Sequence, residues 1–139
     1  MHAELSPTPA QPEPSVNGLW AVPVDVALPC ATQNELNGEE ARSLVAGGCI
    51  AVAEGANMPC TPEAVEVFQT HDVLFAPGKA SNAGWVATSG LEMSQNSLRL
   101  SWTRERVDSE LEAIMVRIHK SAYETAERFG KPGNYVFGA

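Results

Sequence analysis

The chain has 139 residues, with 17 acidic and 9 basic side chains and a formal charge of −8. That length suits one domain, and the acidic balance argues against nucleic acid as a partner, because phosphate binding needs clustered Lys and Arg. Apolar residues at 44% and charged residues at 19% exclude wholesale disorder; no apolar run approaches the ~20 residues that cross a bilayer.

Residues 1–17 carry four of the ten prolines (Pro7, Pro9, Pro12, Pro14) and almost no large apolar side chain. They bury too little to offset ordering, so a flexible tail is expected over 1–19. Its prolines lack a PxxP flanked by basic residues, which makes an interaction motif weak. No basic start followed by an apolar stretch marks a secretory signal. Structure is expected from Trp20. Val22–Leu28 (VPVDVAL) reads as a β-branched strand closed by Pro29, with Pro23 tolerated near its start. Asn37 caps a helix and Glu40, three residues on, is the return partner of a capping box. Ala41, Leu44 and Val45 give that helix its apolar face, and Gly47 and Gly48 stop it. Cys49–Ala53 (CIAVA) reads as a strand buried on both faces. Thr61 caps the next helix, Pro62 takes its first position and Glu63 suits its positive end. Val73–Ala76 (VLFA) is a third short strand.

Strands that alternate with helices predict a parallel sheet of βαβ units. Two long helices follow, over Gly84–Leu100 and Arg104–Phe129. In the second, Val107, Leu111, Ile114, Met115, Ile118, Ala122, Ala126 and Phe129 step by three and four, so one face is apolar and packs as a surface helix does. The fold class is α/β: a partial Rossmann-like domain of three parallel strands alternating with helices, then two long helices. No GxGxxG loop is present. In open α/β sheets ligands sit at the carboxyl ends of the strands.

Cys30, Cys49 and Cys60 make an odd count with no CxxC and no nearby His. That is neither a disulfide framework nor a zinc site. It fits thiols in a reducing cytosol, so the expected location is cytoplasmic and no metal is expected.

Three segments follow the strand ends: PCATQNEL (Pro29–Leu36), AEGANMPCTPEA (Ala53–Ala64) and APGKASNAGWVATSGLEMSQNSLRLSW (Ala76–Trp102). Together they resemble the hexameric glutamate dehydrogenases of the NADP-dependent type, from about Trp20 to Ala139. The resemblance implies the second half of a coenzyme-binding domain at 20–102 and the start of a C-terminal helical segment at 103–139. It implies NADP as cofactor, with NAD as the alternative. The parent reaction is oxidative deamination of L-glutamate to 2-oxoglutarate and ammonia, in a homohexamer. The family's glycine-rich loop and its catalytic lysine and aspartate find no match here, so no catalytic residue is assigned and the isolated chain is expected to be inactive. Two other readings stand beside this one. One is a non-enzymatic chain that binds nucleotide or docks on intact subunits as a decoy; the other is a remnant that does not fold.

Residue by residue, the resemblance implies that Ser89, in ATSG, donates to the substrate's side-chain carboxylate and that Val86 lines that pocket. Asn82, in SNAG, would lie near the nicotinamide carboxamide, and Asn57, in GANMP, near the nicotinamide ribose. Both also fit plain turn formers. Ala31, Thr32 and Gln33 would line the coenzyme, and Gly55 with Ala56 would let it approach closely. Lys79 is read as a solvated side chain. One departure stands out. The family pattern has two glycines before the valine, and here Gly84 is followed by Trp85. An indole there would strain a glycine-only backbone or fill space that nicotinamide needs.

Overall fold

The structure is a computed structural model that describes residues 18–139. The tail expected over 1–19 lies outside the described residues, apart from its last two. A 3-10 turn begins at Leu19, earlier than expected, and buries Trp20, whose indole N–H donates to the Glu35 carbonyl at 3.3 Å.

Three strands, β1 (Val26–Ala27), β2 (Ala51–Ala53) and β3 (Leu74–Ala76), pair in parallel in the order β1-β2-β3. Ala27, Val52 and Phe75 stand side by side in the ladder and are buried. The helices α1 (Gly38–Ala46) and α2 (Pro62–Thr70) pack on each other and share one core with these residues. Phe68 of α2 is fully buried and stacks on Phe75, with ring centroids 5.7 Å apart. An exposed Arg42–Glu63 ion pair at 3.2 Å also joins the two helices, where screening by water leaves it little weight.

Both helix starts follow the chemistry of their caps. The Asn37 side chain accepts from the Glu39 and Glu40 amides, and Glu40 accepts from the Asn37 amide at 2.8 Å, completing the capping box. The Thr61 hydroxyl accepts from the Ala64 amide, with Pro62 at the first helical position.

The first strand is shorter than expected. Val22–Asp25 stay outside the ladder and β1 is two residues long. Pro23 has no N–H to donate, and β1 has a neighbour on one side only among the described residues. The expectation that CIAVA is buried on both faces is also corrected. Val52 is buried, but Ala51 and Ala53 are half-buried and Ile50 is 65% exposed. Val26 and Leu74, which flank Ala51 in the ladder, are each 50% exposed. The helices α1 and α2 cover one face of the sheet; among the described residues the other stays largely open, closed only toward β3.

The four-residue helix α3 (Gly78–Ser81) leads directly into α4 (Ala83–Leu98). The long α5 (Arg104–Arg128) returns along α4, and α6 (Tyr135–Gly138) packs on α5 and β3. The ends of α4 and α5 fall within two residues of expectation. The apolar stripe of α5 is half-buried from Val107 to Ile118 and fully buried at Ala122 and Ala126. Phe129 departs from it: it lies past the helix end, 58% exposed, edge-on to Phe137. An apolar cavity of about 460 Å³ separates α5 from β3, lined by Leu74, Ala76, Ala80, Met115, Ile118 and Tyr135. Neither α3 nor α6 was expected from sequence, since four residues are too few to carry a period. Among the described residues no helix is long and apolar enough to cross a membrane.

Replacing Asn37 by Ala removes the acceptor for two amides of the first turn of α1. The expected loss is about 1 kcal/mol of folding stability, seen as a lower urea midpoint at unchanged m-value.

Candidate functional site

The segments that follow β1, β2 and β3 meet at one end of the sheet and are joined by backbone bonds. The Pro29 carbonyl, just after β1, accepts from the Gly55 and Ala56 amides at 2.9 and 3.2 Å. Farther out, residues 34–36 run parallel to 58–61. Asn34 donates to Met58, Leu36 donates to Pro59, and Thr61 donates back to Leu36, each at 3.0 Å. These bonds make the first two loops one surface.

Side chains join the second loop to the third. Glu54 is buried, 6% exposed. Its Oε1 accepts from the Cys60 amide at 3.1 Å and its Oε2 from the Gly78 amide at 2.5 Å. Those amides lie just ahead of α2 and at the start of α3, where unpaired N–H groups favour an anionic partner. The Ser81 hydroxyl lies 2.6 Å from the Glu54 carbonyl, to which it donates. Gly78 eases this fit, because a Cβ there would lie 3.1 Å from Glu54 Oε2 and 3.3 Å from the Ala56 carbonyl, tight enough to make either give way by a few tenths of an ångström.

Asn82 completes the junction. Its Nδ2 donates to the Gly55 carbonyl at 2.6 Å. A carbonyl acceptor demands the amino side of the amide, so the Asn82 Oδ1 is left to accept from elsewhere. Asn82 therefore cross-links two loops. Asn57 is exposed in its loop, and the left-handed residue there is its neighbour Met58, at φ 52°. The turn-forming role open to Asn57 falls to Met58. Ala31, Thr32 and Gln33 are exposed at the outer side of the first loop, with the Ala31 amide held by Glu35 Oε1 at 2.9 Å.

Gly55 has a reason within the chain for lacking a side chain, because a Cβ there would lie 2.3 Å from Cys30 Sγ. Trp85 is not strained. It lies in the first turn of α4 without a positive φ, its amide donates to the Asn82 carbonyl at 3.1 Å, and its indole is 73% exposed. Val86 and Ser89 are exposed farther along α4. Seven residues of helical rise put Ser89 about 10 Å from Asn82 along the axis. The structure thus joins Asn82 to Gly55, ties the loop that carries residues 31–33 to the loop that carries 55–57, and sets Val86 and Ser89 on a helix that leads away from them. Sequence reading missed Glu54. Its signal was an acidic residue closing the apolar run CIAVA, where a carboxylate needs partners to be buried.

The family model for glutamate/leucine/phenylalanine/valine dehydrogenase matches residues 2–139. The chain belongs to this dehydrogenase family. It is 60% identical over 120 residues to the NADP-specific glutamate dehydrogenase of Escherichia coli, and 52% over 120 residues to the NAD-specific glutamate dehydrogenase of Bacteroides fragilis. Each alignment covers 86% of this chain and 27% of the relative. A crystal structure of Plasmodium falciparum glutamate dehydrogenase superposes with a TM-score of 0.82 at 46% identity, over 86% of this chain and 26% of that one. The chain thus spans about a quarter of the length of these dehydrogenases. Its fold, three parallel strands with helices, is that of the matching part of the P. falciparum enzyme.

The cysteines of this dehydrogenase chain are free, Cys30 exposed and Cys49 and Cys60 buried. Burial first, then the adjacent Glu54 carboxylate, push the Cys60 thiol far above its ordinary 9.0. Two outcomes are expected. With a disulfide reagent at neutral pH, Cys30 reacts at once, and the other two react only on unfolding. Above pH 9 the unfolded Cys60 releases its proton while the folded one keeps it, so stability falls as pH rises. Unfolding free energies from urea titrations at about pH 8 and about pH 10 should differ by roughly 1.4 kcal/mol more in the native sequence than in Cys60→Ala.

Proposed function

We propose that residues 20–102 are the second half of the coenzyme-binding domain of a glutamate dehydrogenase and that 103–139 begin its C-terminal helical segment. The observation that carries this reading is the junction at the strand ends, where Asn82 donates to Gly55 and keeps an acceptor oxygen. An amide oxygen suits the N–H₂ of a nicotinamide carboxamide. The exposed residues 31–33 and Asn57 border the same place, which is where open α/β sheets bind ligands. These residues fit a dinucleotide of the NADP type, with NAD as the alternative. Relatives named for either coenzyme match this chain comparably well.

In the parent reaction the coenzyme supplies the hydride acceptor for deamination of L-glutamate to 2-oxoglutarate and ammonia. This chain's residues bind and orient. Asn82 and Asn57 hold the nicotinamide end, Ala31, Thr32, Gln33 and Gly55 border the coenzyme, and Ser89 with Val86 meets the substrate's side chain. No catalytic acid, base or nucleophile is assigned to this stretch, and the 139-residue chain is proposed not to turn over glutamate by itself. A second reading, a chain that docks on intact subunits, is favoured by the open sheet face with Val26, Leu28 and Leu74 half or more exposed.

Thermal-shift titration tests the reading. NADPH at a hundred times its dissociation constant should stabilise the fold by about 2.7 kcal/mol, since it binds only the native state. No shift at millimolar NADPH or NADH rejects the coenzyme site. Formation of NADPH from glutamate and NADP above a buffer control rejects the proposed inactivity.

A further inference from the structure

We propose that Glu54 is the positioning residue of this site, a latch that makes the loops after β2 and β3 move as one body. This rests on reading the strand ends as the coenzyme site. Three observations carry it. Glu54 is buried and belongs to no ion pair among the described residues. Its two oxygens are divided between two loops, Oε1 on Cys60 and Oε2 on Gly78, residues 18 apart in sequence. Its own backbone is tied to the segment that carries Gly78, with its amide on the Ala76 carbonyl at 3.1 Å and its carbonyl accepting from Ser81. A residue that only filled space would not need acceptors facing two directions.

The geometry sets what the latch controls. Asn57 lies between Glu54 and Cys60, the two ends of one carboxylate-closed loop. Asn82 lies at the end of α3, whose first amide is the one held by Oε2. Neither asparagine touches the carboxylate in any hydrogen bond of the structure. Glu54 therefore acts through the loops, by fixing the distance between the groups that face the ligand. The requirement for two acceptors is strict. An amide at this position offers one acceptor oxygen and one donor, and the donor would meet a backbone N–H.

Glu54→Gln in the full 139-residue chain tests this, with Val67→Ala in the core of α2 as a control for plain destabilisation. Amide hydrogen exchange is read at Cys60 and Gly78, and the side-chain NH₂ resonances of Asn82 are followed. The latch predicts exchange about tenfold faster at both amides together in Glu54→Gln. It also predicts loss of the distinct Asn82 NH₂ signals, and neither change in Val67→Ala. Faster exchange at one amide alone, or at neither, overturns the latch. NADPH fluorescence titration then reads positioning. The dissociation constant should rise about tenfold in Glu54→Gln and stay within about twofold in Val67→Ala; equal affinity of Glu54→Gln and the native sequence overturns the positioning role. If the native sequence itself binds no coenzyme, the coenzyme reading falls and the positioning role with it, while the exchange rates still decide whether the loops are fastened. Should Glu54→Gln not fold, Glu54→Asp, which keeps the charge but draws both oxygens back by one methylene, must give the same paired loss of protection at Cys60 and Gly78.

Discussion

One buried carboxylate between two backbone amides governs how this molecule ends its sheet. A carboxyl group taken out of water is costly unless its oxygens find donors. Glu54 finds them on two different loops, so the need of one side chain to be satisfied becomes a restraint between segments far apart in sequence. The pairing of 34–36 with 58–61 extends that restraint to the loop after β1. Every residue placed at the candidate site hangs from this framework or leads away from it along α4. The fold below supplies rigidity through Phe68, Phe75, Leu44 and Val52; the latch converts it into a defined spacing at the top.

The sequence pattern revealed the four longer helices, α1, α2, α4 and α5, well. The box of Asn37 and Glu40 and the Thr61–Pro62 start were readable because capping is local: donor and acceptor lie within three residues. The long α5 was readable because its stripe, Val107 to Ala126, repeats over more than five turns. Strands were harder. VPVDVAL has the composition of a seven-residue strand, yet two residues pair, because a ladder depends on neighbours that the segment does not contain. The same reason explains CIAVA. Its apolar run describes a strand between two layers, and whether the second layer is there is settled elsewhere in the molecule.

At the site the balance is similar. Asn82 and Asn57 were visible as residues of long motifs, and the strand ends as the place where ligands sit. What Asn82 does with its amide was not visible, since its partner Gly55 is 27 residues away. Gly55 was read as room for a ligand, whereas Cys30 also demands that room. Glu54 escaped notice because a charge after an apolar strand ordinarily marks the return to solvent, and only its burial reveals the opposite.

The exposed edge of the sheet has a consequence for how the chain behaves at high concentration. A free strand edge is a template for fibrillar stacking. Among the described residues the β1 edge is two residues long and bracketed by Pro23 and Pro29, neither of which has an N–H to offer, and the β3 edge is three residues long with α6 packed on that strand. Strand-by-strand accretion has almost no template to copy. Crowded molecules would instead meet through the apolar face of Val26, Leu28 and Leu74, giving amorphous, salt-promoted and reversible clusters in place of fibrils.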